Sequence, residues 1–242
     1  MLKKMRNVSM KNLLPNCLCG HAKSDKKKML GLNVLKCKKC GVIRQEVRKT
    51  QEEYQKYYEK EYHQDHYSHT YNHDVDIANI RLDAYNLDAG KKLLDIGSGN
   101  GAFVVEAIKR EINAFGNELS DLTDKYHEYV LKKPLHENNI PDEEYDYITM
   151  HDILEHIPDI ISFVQESARI LKDGGTLIID FPDFFHMEGK HHWKPVEHIW
   201  LLNQRTVERL VVQAGLQVEK VTKPIPSKLV FYVKKDLTKK WI

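Results

Sequence analysis

The clearest pattern in the chain begins at Lys91. Short apolar runs alternate there with stretches of helical periodicity. "KKLLDIG" reads as a strand ending at Asp95. "SGNGAFVVEAIKRE" supplies glycines and then a helix, and "INAFGNELS" is a second strand ending at Glu118. "YDYITM" is another strand, and a helix follows from about 159 to 171. "GTLIIDF" is the next strand. A helix over "NQRTVERLVVQAG" has Asn203 as its N-cap, and "LQVEKVTK" and "KLVFYVKK" close the chain as an antiparallel pair. Strand–helix alternation of this kind builds a mainly parallel sheet covered on both faces. Upstream, "TQEEYQKYYEKEYHQDHYSHTYNHDVDIANIRLDAYNL" has no Gly or Pro and predicts two helices, the second over about 74–87.

Sheets of this class bind ligands at the carboxyl ends of their strands. The loop "DIGSGNG" lies there, and Gly97, Gly99 and Gly101 let it turn tightly against a ligand. Glu118 ends the next strand, about 20 residues on, where an acid can hold the two hydroxyls of a ribose. No G-x-x-x-x-G-K-[ST] occurs, and the third glycine comes one residue early for the dinucleotide fingerprint.

Charge divides the chain. Residues 1–50 carry 14 Lys+Arg against 2 Asp+Glu, whereas the remainder carries 23 against 33. A basic head on an acidic body admits nucleic-acid contact, or a lysine-solubilised domain docked on an acidic neighbour. All four cysteines lie in this head, as Cys17-x-Cys19 and Cys37-x-x-Cys40, each pair followed by a glycine. Two such knuckles around a short hairpin predict a zinc ribbon holding structural Zn²⁺ in a closed thiolate site. The first knuckle is C-x-C, with Asn16 where a cysteine commonly stands, and His21 is an alternative ligand. No run reaches the ~20 apolar residues of a membrane helix. No secretory leader is evident, so a cytoplasmic location is expected.

The tyrosines at 54, 57, 58 and 62 fall at helical spacing. They fit packing between head and body, or a lid over a pocket, for which Tyr67 and Tyr71 are better placed.

Together, "LLDIGSGNGAF…NELS…YDYITMHDILEHIPD…LKDGGTLIIDFPD" closely resembles the Rossmann-like S-adenosylmethionine-dependent methyltransferases. "HDILEHIPD" resembles the signature of a large bacterial branch, whose members often carry a cysteine-knuckle head and a Tyr-rich segment. The resemblance implies a seven-stranded, mostly parallel sheet with helices on both faces. It also implies three parts: a zinc-ribbon head over 1–48, a Tyr-rich connector or lid over 49–90, and the donor-binding domain over 91–242. By position, Asp95, Gly97, Ser98 and Gly99 would hold the methionine portion of S-adenosylmethionine. Glu118 would bind the ribose, Leu119 would pack on adenine, and Leu135 and His136 would border it. His151 and Asp152 would line the sulfonium end.

Two acid–histidine clusters remain. In "HDILEH" the histidines are five apart, which is wrong for a helical metal pair. In "KHHWKPVEHIW" the family often has an E-H motif, and in relatives that methylate carbon of deoxysugars such a pair is associated with deprotonating the substrate. Glu197 and His198 match it and are the expected catalytic pair; the alternative is that His198 packs against the next helix. His191 and His192 are expected to be loop residues. The expected acceptor is a small molecule or glycan precursor, such as a sugar nucleotide. The alternative is RNA, gripped by the basic head. A module that binds the donor without turnover is a third possibility.

Overall fold

The computed structural model describes residues 17–46, 53, 56, 71–120, 126–186, 193–194 and 197–235. Glu53 and Lys56 of the expected first connector helix are helical, whereas its tyrosines, Tyr67, Asn16, His191 and His192 lie outside these residues.

The body is a seven-stranded sheet. Its strands are β4 (Lys92–Ile96), β5 (Asn113–Asn117), β6 (Val130–Leu131), β7 (Tyr145–His151), β8 (Leu171–Pro182), β10 (Leu216–Thr222) and β11 (Lys228–Lys235), and their order is β10-β11-β8-β7-β4-β5-β6. All neighbours are parallel except β11, which runs antiparallel to both β8 and β10. The order reverses between β4 and β7, so a crevice opens at their carboxyl ends. Central strands are apolar on both faces: Leu93, Leu94, Ile148, Met150, Leu177 and Ile179 are fully buried.

The helices sit where capping and apolar spacing put them. Before α3 (Ile160–Ile170), the Asp159 carboxylate accepts from Ser162 N at 3.2 Å. Before α4 (Gln204–Gln213), the Asn203 side chain accepts from Thr206 N at 2.9 Å. Caps of this type contribute about 1 kcal/mol each. Val207, Leu210 and Val211 form the i, i+3, i+4 face that α4 buries. α2 (Ala102–Lys109) packs beside α1 (Tyr71–Tyr85), and Ala78, Leu82 and Tyr85 of α1 join the core around Leu93 and Phe103.

The head is a β-hairpin, β1 (Ser24–Met29) with β2 (Leu32–Cys37), extended by β3 (Ile43–Gln45). A fourth strand comes from the body. β9 (Trp200–Leu201) pairs antiparallel with β3, Ile43 opposite Leu201 and Arg44 opposite Trp200. Gln45 donates from its backbone N to Ile199 O and from Nε2 to His198 O, both at 3.0 Å. Cys17, Leu18 and Val42 lie in the same apolar cluster as Ile199, Trp200 and Leu202. Head and body therefore share one core. Among the described residues, no helix is long and apolar enough to cross a membrane.

Candidate active site

The glycine loop leaves β4 with three left-handed residues: Gly97 at φ 74°, Gly99 at φ 53° and Gly101 at φ 76°. A Cβ on Gly97 would come within 1.9 Å of the Ile153 side chain, so only glycine fits there. The Glu118 carboxylate sits beside the loop, accepting from Gly99 N at 2.9 Å and Ser120 N at 2.8 Å. Tyr126 braces the loop from outside: its hydroxyl donates to Gly99 O at 2.7 Å and lies 2.9 Å from Ser98 Oγ. Leu119 is half-buried beside Glu118. Leu135 is buried in a 3₁₀ turn, whereas His136 projects into solvent beside Glu137, 3.6 Å away.

Asp95 is buried at the crevice and is already engaged. Its Oδ1 accepts from Thr149 Oγ1 at 2.7 Å and lies 3.0 Å from His151 Nδ1. The His151 ring is stacked near Tyr85, centroids 5.9 Å apart, and meets Phe103 edge-on at 4.5 Å. Behind it runs a charged network. Arg81 grips Asp180 through Nε at 2.8 Å and Nη2 at 2.7 Å, and reaches Asp152 at 3.6 Å. Lys228 is bonded to Asp152 and lies 3.9 Å from Asp180. Burial pushes the Asp152 carboxyl up, but Lys228 and Arg81 prevail and hold it at about 2. Asp152 itself adopts a left-handed backbone, φ 55°, a strained conformation often found at functional sites.

A second cluster lies beneath the loop that carries Glu197 and His198. Ligand-capable atoms of Glu155, His156 and His198 fall within 4.8 Å of one another. Glu155 thus lies near His198, 43 residues away in sequence, and among the described residues neither of its buried carboxylate oxygens has a hydrogen-bond partner. Burial drives the Glu155 carboxyl well above its usual range, with Asp152 adding to the push. Burial also lowers the imidazoles, His156 to about 4 and His198 to about 2, where His156 is a further cause. Their tautomers follow from backbone partners. Lys194 N donates to His198 Nδ1 at 3.1 Å, so the neutral ring carries its proton on Nε2. His156 Nδ1 donates to Glu197 O at 3.2 Å. A cation on His198 Nε2 would require that proton to leave and the Lys194 bond to break, so this donor set does not favour a metal. Glu197 is buried, 3.6 Å from Lys194 Nζ.

The four cysteines come together in the head. Cys17 Sγ lies 3.4 Å from Cys40 Sγ, and Cys19 Sγ 3.7 Å from Cys37 Sγ. Four thiolates ~2.3 Å from a tetrahedral zinc stand about 3.8 Å apart, so the cluster fits the ion. Gly20 and Gly41, at φ 74° and 76°, turn the two knuckles. His21 takes part through its carbonyl, which accepts from Cys17 N at 3.1 Å. Burial raises the Cys17 thiol; at Cys37 the same burial is overcome by the Cys40 and Lys39 amides, which bring it to about 7.

Residues 67–221 match the family model described as a methyltransferase domain. The chain belongs to this methyltransferase family. Part of it is 31% identical over 107 residues to a ubiquinone biosynthesis O-methyltransferase of Methylococcus capsulatus, covering 40% of this chain and 45% of that one. Another match, 29% identical over 107 residues, is a demethylmenaquinone methyltransferase of Geobacillus stearothermophilus, covering 38% and 46%. The chain thus spans less than half the length of these relatives. The fold matches a SAM-dependent methyltransferase from Aquifex aeolicus, with a TM-score of 0.56 at 18% identity over 66% of this chain and 89% of that one. A SAM-dependent methyltransferase from Archaeoglobus fulgidus has the same TM-score at 14% identity over 66% and 94%.

Several site residues carried no local signal. Arg81, Tyr85, Tyr126 and Lys228 stand far in sequence from the groups they meet. Asp180 ends a strand at the crevice, and that position alone could have marked it.

Proposed function

We propose that this methyltransferase moves the methyl group of S-adenosylmethionine to a hydroxyl of a small molecule. A glycan precursor such as a sugar nucleotide fits the proposal. The observation that carries it is the Glu118 carboxylate fixed on the Gly99 amide beside the left-handed loop. The similarity to ubiquinone biosynthesis O-methyltransferases supports the acceptor class.

S-adenosylmethionine brings a methyl group on a sulfonium, which is already a good leaving group. The protein's part is alignment and, for a hydroxyl acceptor, removal of a proton. Glu118 holds the ribose diol, Gly97 to Gly99 admit the donor against bare backbone, and Leu119 covers adenine. Leu135 supports that wall from the core, with His136 at its rim. Glu197 and His198 border the acceptor side from their buried loop. Cys17, Cys19, Cys37 and Cys40 hold structural Zn²⁺.

Isothermal titration with S-adenosylhomocysteine, followed by labelled methyl transfer into a small-molecule extract of the producing cells, tests the reading. Micromolar binding and label in one metabolite are expected. Label in RNA instead would favour the second reading, for which the exposed Lys26, Lys27 and Lys28 of β1 speak. Such binding would weaken steeply with salt as counterions are released.

A further inference from the structure

Among the described residues, two neighbouring rings at the crevice each carry a buried polar atom with no hydrogen-bond partner. One is His151 Nε2 and the other is the Tyr85 hydroxyl. The His151 side chain is only 8% exposed. Orphaned polar atoms this deep cost on the order of 1–3 kcal/mol each, so they mark a place where a ligand group belongs.

The hydrogen bonds assign each atom a sense. Asp95 Oδ1 can only accept, so His151 Nδ1 carries the proton that faces it. The neutral ring then has a bare lone pair on Nε2. Asp95 cannot turn away, because Thr149 Oγ1 holds the same oxygen at 2.7 Å. The ring cannot swing either, wedged between Tyr85 and Phe103. The Tyr85 hydroxyl keeps its proton, since burial and the nearby Asp180 push it well above its usual range. Nε2 therefore accepts and Tyr85 Oη donates. An ammonium, which only donates, would satisfy the first and not the second. A hydroxyl does both.

His198 offers no such lone pair. Its Nδ1 is filled by the Lys194 amide and its Nε2 bears the proton.

We propose that His151 is the proton acceptor of the reaction, oriented by Asp95, with Tyr85 holding the acceptor oxygen. The proposal rests on the methyltransferase reading above. In the step, the acceptor oxygen bonds to the methyl carbon. The carbon–sulfur bond breaks, and its electron pair stays on sulfur as a neutral thioether. The O–H proton passes to His151 Nε2, and the imidazolium so formed is paired with the Asp95 carboxylate. Asp95 is a positioning residue: it selects the tautomer and stabilises the charged ring. His198 shapes the wall without taking the proton.

The test uses the full chain with S-adenosylhomocysteine added. Long-range ¹⁵N–¹H correlation of the imidazoles, assigned by loss of one ring in His151→Gln, should show Nδ1 protonated and Nε2 bare. Asp95→Asn should shift that ring toward the other tautomer. In labelled methyl transfer, His151→Gln should lose at least about 100-fold in kcat, in the range for general base catalysis. Its S-adenosylhomocysteine affinity should stay within about threefold. Tyr85→Phe keeps the ring packing and should lose about tenfold, mainly in kcat/KM. A His151 ring protonated at Nε2 overturns the proposal. So does His151→Gln with full turnover, or with a loss in donor-product affinity equal to its loss in rate. Wild-type protein that transfers no methyl to any metabolite overturns the methyltransferase reading as well, and is told apart by that control.

Discussion

The buried trio of Glu155, His156 and His198 makes stability depend on pH in a way the structure fixes in sign. Both imidazoles are held neutral in the fold, with values of about 4 and 2 against 6.5 in a free chain. Between pH 5 and 6 the unfolded chain protonates both, so unfolding takes up nearly two protons. Glu155 acts in the opposite sense. Its folded value lies well above 4.5, so the fold keeps a proton that the unfolded chain has released. The two imidazoles outweigh the one carboxyl, so the unfolded state binds more protons and stability rises with pH between 5 and 6, by less than the roughly 2.4 kcal/mol per unit that the imidazoles alone would give. Above pH 7 the imidazole contribution is nearly spent, and Glu155 lowers stability as pH rises for as long as its folded carboxyl keeps the proton that the unfolded chain has lost. Asp152, depressed to about 2, loses its contribution only as pH falls below the usual carboxylate range, outside this window. Urea unfolding by circular dichroism, in half-unit steps from pH 5 to 8, measures the curve. Glu155→Gln should remove the falling contribution and steepen the slope between pH 5 and 6 to about 2.4 kcal/mol per unit. Stability flat from pH 5 to 6, or a Glu155→Gln curve parallel to wild type throughout, refutes the reasoning.

Protein purified without chelator should hold one zinc per chain by elemental mass spectrometry, and Cys19→Ser should lose it. Stripping the metal should free β3 from β9 and shift Trp200 emission to the red, because Trp200 is fully buried under that pairing; zinc-free protein with unchanged emission counts against this. Gly97→Ala should weaken S-adenosylhomocysteine binding by more than about tenfold, since a left-handed alanine costs roughly 1–2 kcal/mol and Ile153 must also move. Gly174→Ala, equally left-handed at φ 73° but in open space, should leave affinity unchanged and serves as the control.

What could be read from the sequence was what lies close together along it. The strand into Asp95, the glycine loop and Glu118 form one contiguous stretch, and their contacts span no more than about 20 residues. Asn203 and the second connector helix were legible for the same reason, although the helix begins at Tyr71 rather than near 74. The rest depends on sheet order. Thr149 meets Asp95 across 54 residues because β4 and β7 lie side by side, and Arg81 meets Asp180 across 99 because α1 packs on the sheet. No pattern in the chain announces β9, which is two residues long and owes its existence to β3. Adjacency also hid a second carboxylate near His198. Glu197 is its buried sequence neighbour, 3.6 Å from Lys194 Nζ, while Glu155 arrives from the turn after β7.

That geometry gives the cysteine head a role beyond solubility. β3 holds the chain from His198 to Leu201 by backbone pairing and by the two Gln45 bonds. The same segment carries Trp200, whose Nε1 donates to Ile157 O at 2.9 Å, and Ile199, whose N donates to Glu155 O at 2.8 Å. Glu155 and Ile157 begin the connection out of β7, the strand that ends in His151. A metal that fixes the knuckles therefore fixes β3, then β9, then the turn after β7. The donor loop is anchored separately, through Glu118, Tyr126 and Asn117. Loosening the head should thus disturb the acceptor wall before it disturbs donor binding. The physical cause is that one half of the crevice is tied to the four-stranded sheet of the head and the other to β5 of the seven-stranded sheet.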